Sequence, residues 1–285
     1  MKIAIASGKG GTGKTTVATN LAYVASHNGQ RVAYLDCDVE EPNGHIFLKP
    51  EILQRKRVGD LIPEVNDEKC ILCGKCSEIC QYNAIACVGK KVLIYAELCH
   101  SCGGCSIVCP VDAITEISRD MGVLETGQAG PIPFAHGVLN VGEVRAIPVI
   151  KAVKSASFDT ELAIIDAPPG TSCPVIEAVR DSDFVILVTE PTPFGFHDLK
   201  LAVEMVRALR LPVGVVINRA TLNGIDIGSY CAGRRIPVLA EIPDDKRLAE
   251  AYSRGEMACQ TLPEYQSVFA NLLETIANKV SSRST

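Results

Sequence analysis

The sequence has no tryptophan, and aromatic side chains of all kinds make up only 5% of its 285 residues. Single-stranded nucleic acids are held on stacked aromatic side chains, so a binding platform of that kind is poorly supplied. Positive charge is also in the minority, since the formal net charge is −5. A chain with this charge is a poor match for nucleic acid as its main partner. We therefore expect no nucleic-acid-binding function.

Long apolar runs are missing as well. None approaches the roughly 18 residues that a membrane span needs, which excludes a transmembrane protein. The N-terminal segment Met1–Gly11 runs from a short apolar stretch into glycines without the small-residue cleavage site of a signal peptide. We expect a cytoplasmic protein with no membrane partner.

Cysteine is the residue type in excess. The chain has 13 cysteines, and nine of them lie between Cys70 and Cys109. In a reducing cytosol such a cluster indicates metal binding before it indicates disulfides.

Apolar strands alternate with helices at both ends of the chain, which predicts an α/β fold with a doubly wound, mostly parallel sheet. Because the strands are continuously apolar, both faces of that sheet should be covered. The predicted strands are residues 2–6, 31–35, 161–165, 183–189, 212–217 and 236–242. The predicted helices are residues 14–28, 198–209 and 265–280. We expect the last helix to pack against its own domain, since its polar face lacks the basic residues of a membrane-surface helix.

A phosphate-binding loop follows the first predicted strand. Gly8–Thr15 matches the pattern G-x-x-x-x-G-K-[ST] between a strand and a helix. Glycines allow backbone N–H groups to converge on phosphate oxygens, and the helix N-terminus adds partial positive charge. Lys14 would reach the β- and γ-phosphates, and the Thr15 hydroxyl would bind Mg²⁺.

A second lysine in this loop carries a resemblance. The segment Lys9–Thr15, KGGTGKT, resembles the deviant Walker A class of P-loop ATPases, which includes MinD, ParA and Mrp-type cluster carriers. The resemblance covers residues 1–65 and 119–285. It implies Mg²⁺-dependent ATP hydrolysis by a homodimer, in which Lys9 reaches across to the partner's nucleotide. The loop residues expected to bind nucleotide are Gly10, Gly11, Thr12, Gly13, Lys14, Thr15 and Thr16.

Three acidic residues fit the switch segments of that family. The resemblance places Asp36 and Asp166 near Mg²⁺ and gives Asp38 the role of orienting the attacking water. From the residues alone, Asp36 and Asp166 are acidic side chains at the carboxyl ends of parallel strands, where α/β folds bind ligands. Adenine contacts are expected from Asn218, Pro243 and Asp245, although such residues are also ordinary turn formers.

The cysteine-rich segment is an internal repeat with an offset of 29 residues. The sequences Cys70–Ile85 and Cys99–Ile114 are identical at eight of sixteen positions, and each has cysteines spaced x2, x2, x3. This is the spacing of bacterial ferredoxins, and soft thiolate ligands favour iron–sulfur chemistry. Zinc is the alternative, but a zinc ribbon needs only two cysteine pairs.

Residues 66–118 therefore resemble a small α+β ferredoxin-like domain with two [4Fe–4S] clusters, inserted into the ATPase domain. In such domains the fourth cysteine of each run binds the other cluster. The resemblance thus implies one ligand set of Cys70, Cys73, Cys76 and Cys109. The second set is Cys80, Cys99, Cys102 and Cys105. One departure is Gln81, where a proline usually follows the fourth cysteine.

The other cysteines have no repeat partner. We expect Cys37, Cys87, Cys231 and Cys259 to be packing residues. Cys173 lies seven residues after Asp166, the offset at which the nitrogenase iron protein has a cluster ligand, so both a structural role and a ligand or redox role stay open.

Taken together, these features predict a cytoplasmic ATPase whose nucleotide state controls electron delivery or metal-cluster transfer to a partner protein. Two other functions stay open. One is an assembly factor for iron–sulfur or other metal cofactors, and the other is a MinD-like positioning or regulatory ATPase without a redox role.

Overall fold

The computed structural model describes residues 1–222 and 224–282. Its strands are β1 Lys2–Ala6, β2 Val32–Asp36, β3 Glu51–Val65, β4 Ile85–Val88, β5 Lys91–Ile94, β6 Ile114–Ala129, β7 Ile132–Leu139, β8 Leu162–Asp166, β9 Phe184–Thr189, β10 Val213–Ile217 and β11 Val238–Glu241. Its helices are α1 Lys14–His27, α2 Gly44–Leu48, α3 Lys75–Ile79, α4 Gly104–Ile107, α5 Ile147–Lys154, α6 Cys173–Val179, α7 Pro193–Ala208, α8 Ile227–Gly233, α9 Lys246–Ser253, α10 Ala258–Thr261 and α11 Glu264–Ser281. No helix in these two ranges is both long and apolar enough to cross a membrane.

Nine strands form one sheet in the order β11-β10-β9-β1-β8-β2-β7-β6-β3. Every pair from β11 to β7 is parallel, and the pairs β7–β6 and β6–β3 are antiparallel. The predicted doubly wound, mostly parallel sheet is confirmed. Because β1 lies between β8 and β9, the carboxyl ends of these strands meet beside the loop that follows β1.

Apolar side chains cover both faces of the sheet. On one face α1 and α11 pack together, with Leu21 and Phe269 each 1% exposed or less. On the other face α5 and α7 bury Val149 and Val203 completely. The last helix therefore packs against its own domain, as its apolar spacing predicted.

The antiparallel edge of the sheet was not predicted. Strand β3 pairs with β6 from Glu51 opposite Gln128 to Val65 opposite Ile114, and together they form a long two-stranded ribbon. Ten of the fifteen residues of β3 are exposed, and charged or polar residues interrupt its apolar ones, so the strand lacks the continuous apolar signal that identified the parallel strands. The far end of this ribbon carries residues 66–113.

Residues 66–113 fold as two copies of one small unit. Each run has a short helix, α3 or α4, and β4 pairs with β5 in a sheet of their own. The copies share their unusual backbone: left-handed conformations occur at Leu72 and Ser101, Asn83 and Asp112, and Gly74 and Gly103, each pair 29 residues apart. Non-glycine residues rarely adopt this conformation, and such strain is concentrated at functional sites. The repeat in the sequence is thus a repeat in backbone geometry.

Candidate nucleotide site and cysteine cavity

The phosphate loop joins β1 to α1. Gly13 has φ +94° at the N-terminus of α1, and a Cβ there would lie 2.5 Å from Asn218 Nδ2. Glycine is therefore required both by conformation and by the close approach of Asn218, whose amide donates to the Thr12 carbonyl at 2.9 Å. Lys14 begins α1 and is 6% exposed. This arrangement leaves the helix N-terminus and its lysine facing one cavity, as anion binding requires.

Two buried carboxylates lie side by side at the carboxyl ends of β2 and β8. Asp36 pairs in register with Asp166, and both are 1% exposed or less. Asp36 accepts the backbone N–H of Gly44 at 2.9 Å, and Asp166 accepts the Tyr34 hydroxyl at 2.9 Å. Burial, and then the charge of the other aspartate, raises the pKa of Asp36. Burial also raises the pKa of Asp166, against the opposing charge of Lys14.

The carboxylate pair has an open acceptor position. Asp166 Oδ1 is buried, and it has no hydrogen-bond partner among the residues that the structure describes. Oxygen ligands of this kind suit Mg²⁺, which also keeps several of its waters. Thr15, the third predicted Mg²⁺ residue, lies near enough to Asp166 to lower the pKa of that carboxyl and partly offset its rise. The residues present therefore fit a Mg²⁺ ion held through carboxylate and hydroxyl oxygens.

Asp38 follows β2 and lies between this pair and the cavity. Its backbone N–H donates to Asp36 Oδ1 at 3.1 Å. Partial burial raises its pKa from 3.8 to about 6; Lys14 opposes this change, and nearby carboxylates strengthen it. The side chain is therefore an acceptor close to neutral pH, at the edge of the cavity where a γ-phosphate would lie.

A cavity of about 360 Å³ lies against the phosphate loop. Nine of the ten residues predicted to bind nucleotide line it: Gly10, Gly11, Gly13, Lys14, Thr15, Thr16, Asn218, Pro243 and Asp245. The tenth, Thr12, lies behind the loop with its hydroxyl buried. Asp245 lines the cavity and is the N-cap residue of α9. Its carboxylate accepts hydrogen bonds from the Arg247 N–H and from the Tyr265 hydroxyl. Hydrogen bonds from Arg247 hold the pKa of Asp245 near 2, so this carboxylate is ionised.

The sequence did not identify the apolar wall of this cavity. Tyr252, Tyr265 and Phe269 line it, together with Arg219. The spacing of Tyr265 and Phe269 on the last helix indicated packing, because a pattern of apolar residues cannot distinguish a core from a ligand-facing wall. Aromatic and apolar side chains at this end of the cavity suit a nucleotide base.

Lys9 forms an ion pair within its own chain. Its Nζ contacts the carboxylate of Glu190, which directly follows β9. The other oxygen of that carboxylate, Oε2, forms a second ion pair with Arg219 Nη1 at 3.3 Å. Glu190 is 7% exposed and had not been singled out in the sequence. Because Lys9 is held by Glu190, it would have to leave this carboxylate to reach a second nucleotide.

The first predicted thiolate set lies around one cavity. Cys70, Cys73, Cys76 and Cys109 all line it, so the fourth cysteine of the second run lies with the first three of the first run. No three Cys, His, Asp or Glu side chains in the described ranges converge on a single-ion site. The thiolates of a cubane bind different iron atoms, so they enclose a cavity rather than meeting at one point. The chemistry of this donor set, four thiols around one cavity, therefore suits a cluster.

The members of the second set differ in their exposure. Cys99 is buried and Cys102 is exposed, while Cys80 and Cys105 pack into the small apolar cluster that also contains Cys76. The fourth cysteines of the two runs share one feature. Cys80 Sγ accepts the N–H of Ala84 at 3.3 Å, and Cys109 Sγ accepts the N–H of Ala113 at 3.2 Å. Hydrogen bonds to sulfur stabilise thiolates and tune the potential of a bound cluster.

All thirteen cysteines are free thiols. Cys37, Cys231 and Cys259 are fully buried in the host domain, so they are packing residues as predicted. Cys173 is exposed at the first turn of α6, and its ligand or redox role stays a prediction. Cys87 is partly buried against the small apolar cluster of Cys76, Ile85 and Ile114, as expected of a packing residue, and it also lines the first cysteine cavity.

Comparison with known proteins gives relatives of two kinds. An uncharacterized protein of Methanocaldococcus jannaschii is 39% identical over 234 residues, which cover 79% of this chain and 80% of the relative. An iron-sulfur cluster carrier protein of Pyrococcus horikoshii is 27% identical over 307 residues, which cover 98% of this chain and 86% of the relative.

Solved structures show the same fold. The septum site-determining protein MinD of Pyrococcus horikoshii, complexed with Mg-ADP, superposes with a TM-score of 0.60 at 22% identity, covering 96% of this chain and 95% of that one. The family of CobQ/CobB/MinD/ParA nucleotide-binding domains matches residues 3–258. With this match and the phosphate loop, carboxylates and cavity described above, the chain belongs to the CobQ/CobB/MinD/ParA family of P-loop ATPases.

Proposed function

We propose that this protein is a Mg²⁺-dependent ATPase with two [4Fe–4S] clusters, and that its nucleotide state controls the delivery of electrons to a partner protein. The observation that carries the proposal is the mounting of the cysteine-rich segment on the β3–β6 ribbon. Only two residues, Lys49 and Pro50, separate β3 from α2, the helix that follows the Asp36–Asn43 segment. A change at the nucleotide therefore acts on the element that carries the cysteines.

The chemistry of the nucleotide site rests on positioning and charge. Lys14 and the N-terminus of α1 would hold the phosphates, and Thr15, Asp36 and Asp166 would hold Mg²⁺ through oxygen ligands. Asp38 accepts a hydrogen bond from the attacking water and orients it toward the γ-phosphate. We propose that two copies of the chain associate in the ATP state, with Lys9 leaving Glu190 to approach the partner's nucleotide.

Contacts continue from Asp36 into the ribbon. The Asp36 carboxylate holds the N–H of Gly44, the first residue of α2, and the next residue, His45, packs its ring against His136 at 5.4 Å between centroids. His136 bonds to Glu125 at 2.6 Å, and Glu125 binds Arg55 on β3. This chain of contacts is a physical route by which two states of the Asp36 segment favour two states of the ribbon.

Cys70, Cys73, Cys76 and Cys109 would hold one cluster, and Cys80, Cys99, Cys102 and Cys105 the other. Bound there, the clusters would supply one-electron redox chemistry. Cys73 and Cys102, equivalent positions of the two runs, are the exposed members of the two sets. Each set thus has a side open to a partner protein.

A potentiometric titration of the anaerobic protein in MgATP and in MgADP tests the coupling. We expect at least one midpoint potential, or the rate at which a chelator removes iron, to differ between the two nucleotides. Lys14→Ala is the matched control, because it keeps the cysteines and should abolish the difference by preventing nucleotide binding. Equal potentials and equal chelation rates in both nucleotides would contradict the proposal.

Cluster transfer is the second candidate function. It is favoured by the relatives named iron-sulfur cluster carrier proteins, which are 24–27% identical to this chain. In that case the cluster is cargo, and iron should leave the protein when a cluster-accepting partner is present. Partner proteins can be captured from an anaerobic lysate with a non-hydrolysable ATP analogue, and the iron content of this protein is then measured before and after it meets them. That content should stay constant for an electron carrier and fall for a cluster carrier.

A further inference from the structure

Cys87 is the one cysteine of residues 66–113 outside the two ligand sets. It lies on β4, two residues after the buried Ile85, and therefore on the same face of the strand. That face is turned toward the small cluster that contains Cys76. Cys87 lines the cavity formed by Cys70, Cys73, Cys76 and Cys109, so this cavity has five thiols for a group that binds four.

The fifth thiol lies beside one particular ligand. Cys87 Sγ is 3.9 Å from Cys76 Sγ, close enough for a sulfur–sulfur hydrogen bond. Rotation about χ1 between staggered positions moves a cysteine sulfur by about 3 Å, most of this separation. A rotation toward Cys76 would therefore bring the Cys87 thiol close to the region that the Cys76 thiol occupies, without a change in the backbone of β4.

The second copy has no such thiol. With the offset of 29 residues, Cys76 corresponds to Cys105, and Cys87 corresponds to Glu116 on β6. Glu116 is exposed, whereas Cys87 is partly buried against the cavity. A carboxylate is a harder ligand than a thiolate and suits an iron–sulfur cluster less well. The first site therefore has a fifth thiol beside its four predicted ligands, and the second site has a carboxylate at the equivalent position.

We propose that Cys87 is a substitute ligand of the first cluster, able to bind the iron that Cys76 otherwise holds. This inference rests on the proposed function only in requiring that the protein binds clusters. In the exchange, the bond from iron to Cys76 breaks and a bond from iron to Cys87 forms. The proton of the Cys87 thiol passes to Cys76, and no electron is gained or lost. The first cluster thereby tolerates the loss of one ligand, which the second cluster does not.

Iron and sulfide counts of the full-length protein, purified and reconstituted without oxygen, test the proposal. Wild type should hold about eight iron per chain, and Cys76→Ala should hold nearly as many. The matched variant Cys105→Ala should fall to about four, and so should the double variant Cys76→Ala/Cys87→Ala. Cys87→Ala alone should keep about eight.

Alkylation of the native, loaded protein followed by peptide mass spectrometry identifies the ligand directly. Cys87 should be modified in wild type and in Cys105→Ala but protected in Cys76→Ala. Binding of a fluorescent ATP analogue reports the folding of the host domain in every variant, and Cys76→Val, which also lacks a donor atom, is read in the same way if the alanine variant does not bind the analogue.

A Cys76→Ala protein that binds the analogue but loses as much iron as Cys105→Ala overturns the proposal. So does Cys87 that stays open to alkylation in a fully loaded Cys76→Ala protein. Wild type that takes up no iron would instead refute the proposed function, so the two failures are distinguishable.

Discussion

Replacing Asp38 by asparagine removes a carboxylate whose ionisation its surroundings oppose. Burial raises the pKa of Asp38 from 3.8 to about 6, and Asp166, Glu40 and Glu41 add to the effect while Lys14 reduces it. In the nucleotide-free, Mg²⁺-free protein, this ionised side chain therefore destabilises the fold. We expect Asp38→Asn to be more stable than wild type and unable to hydrolyse ATP at the normal rate.

The size of the effect follows from the two pKa values. Because the pKa rises from 3.8 to about 6, ionising Asp38 costs about 3 kcal/mol more in the folded protein than in the unfolded chain. Because Asp38 is partly open to the cavity, solvent screening reduces this figure, and we expect a gain of about 1–3 kcal/mol at pH 7. Hydrolysis should fall on the order of 10²-fold or more, since the group that orients water is lost.

The sign of the pH dependence is fixed by the raised pKa. Well below 3.8 the side chain is protonated in both states, and Asp38→Asn gains nothing. As pH rises from about 4 to about 6, the unfolded chain ionises before the folded one, so wild type loses stability relative to the variant. The full gap is present above about pH 6, and it should be about twice as large at pH 7.5 as at pH 5.

Urea unfolding followed by circular dichroism at pH 5 and pH 7.5, without nucleotide or Mg²⁺, measures this gap. Glu40→Gln is the matched control, because it removes one negative charge from an exposed position of the same segment. Its gain should be smaller, since Glu40 acts on Asp38 only through space. A pH-independent gap, or an equal gain in the control, would refute the assignment of the effect to burial of Asp38.

Three further predictions concern nucleotide binding, association and the ribbon. Lys14→Ala should abolish binding of MgATP in a calorimetric titration, because the loop loses the charge that faces the phosphates. Lys9→Ala should keep nucleotide binding but weaken ATP-dependent association in sedimentation experiments. Glu190→Gln should strengthen that association, because it releases Lys9. Stronger association of Lys9→Ala, or weaker association of Glu190→Gln, would contradict the proposed role of Lys9. Glu125→Gln should lower the free energy of unfolding by about 1–3 kcal/mol, because the hydrogen bond from buried His136 loses its charged acceptor; an unchanged urea midpoint would show that the contact contributes nothing.

Most of the parallel sheet and the phosphate loop could be predicted because their signals are local. A glycine-rich turn between an apolar strand and a helix fixes both the fold and the placement of Lys14, and strand-end aspartates must meet where parallel strands end. The predicted strand ends differ from the observed ones by at most two residues, as for the strand predicted at residues 31–35 and observed at Val32–Asp36. By contrast, α7 begins at Pro193, five residues before its predicted start, because a proline at the first helical position is compatible with a helix.

Features that depend on contacts between residues distant in the sequence could not be predicted. Strand β3 is exposed along most of its length and has no continuous apolar run, and only its pairing with β6 makes it a strand. Likewise, Glu190 is one acidic residue among many until the fold brings it to Lys9. The role of Cys87 could not be read from its spacing either, since it has no thiol counterpart in the second run. In each case the missing information is a contact between residues distant in sequence or the direction of one side chain.

The β3–β6 ribbon connects the nucleotide site to the cysteine-rich segment. An electron or cluster carrier that only stored its clusters could hold them on any surface loop. Here the segment between β3 and β6 is reached from the nucleotide through Asp36, α2 and the contacts of His136 with Glu125, without a flexible linker between them. Coupling requires an element that both sites can bias, and we propose that the two-stranded β3–β6 ribbon, which follows the Asp36–Asn43 segment and α2, is that element. Breaking the Glu125 contact while leaving Lys14 and the cysteines intact should therefore reduce the difference between MgATP and MgADP potentials without abolishing ATP binding.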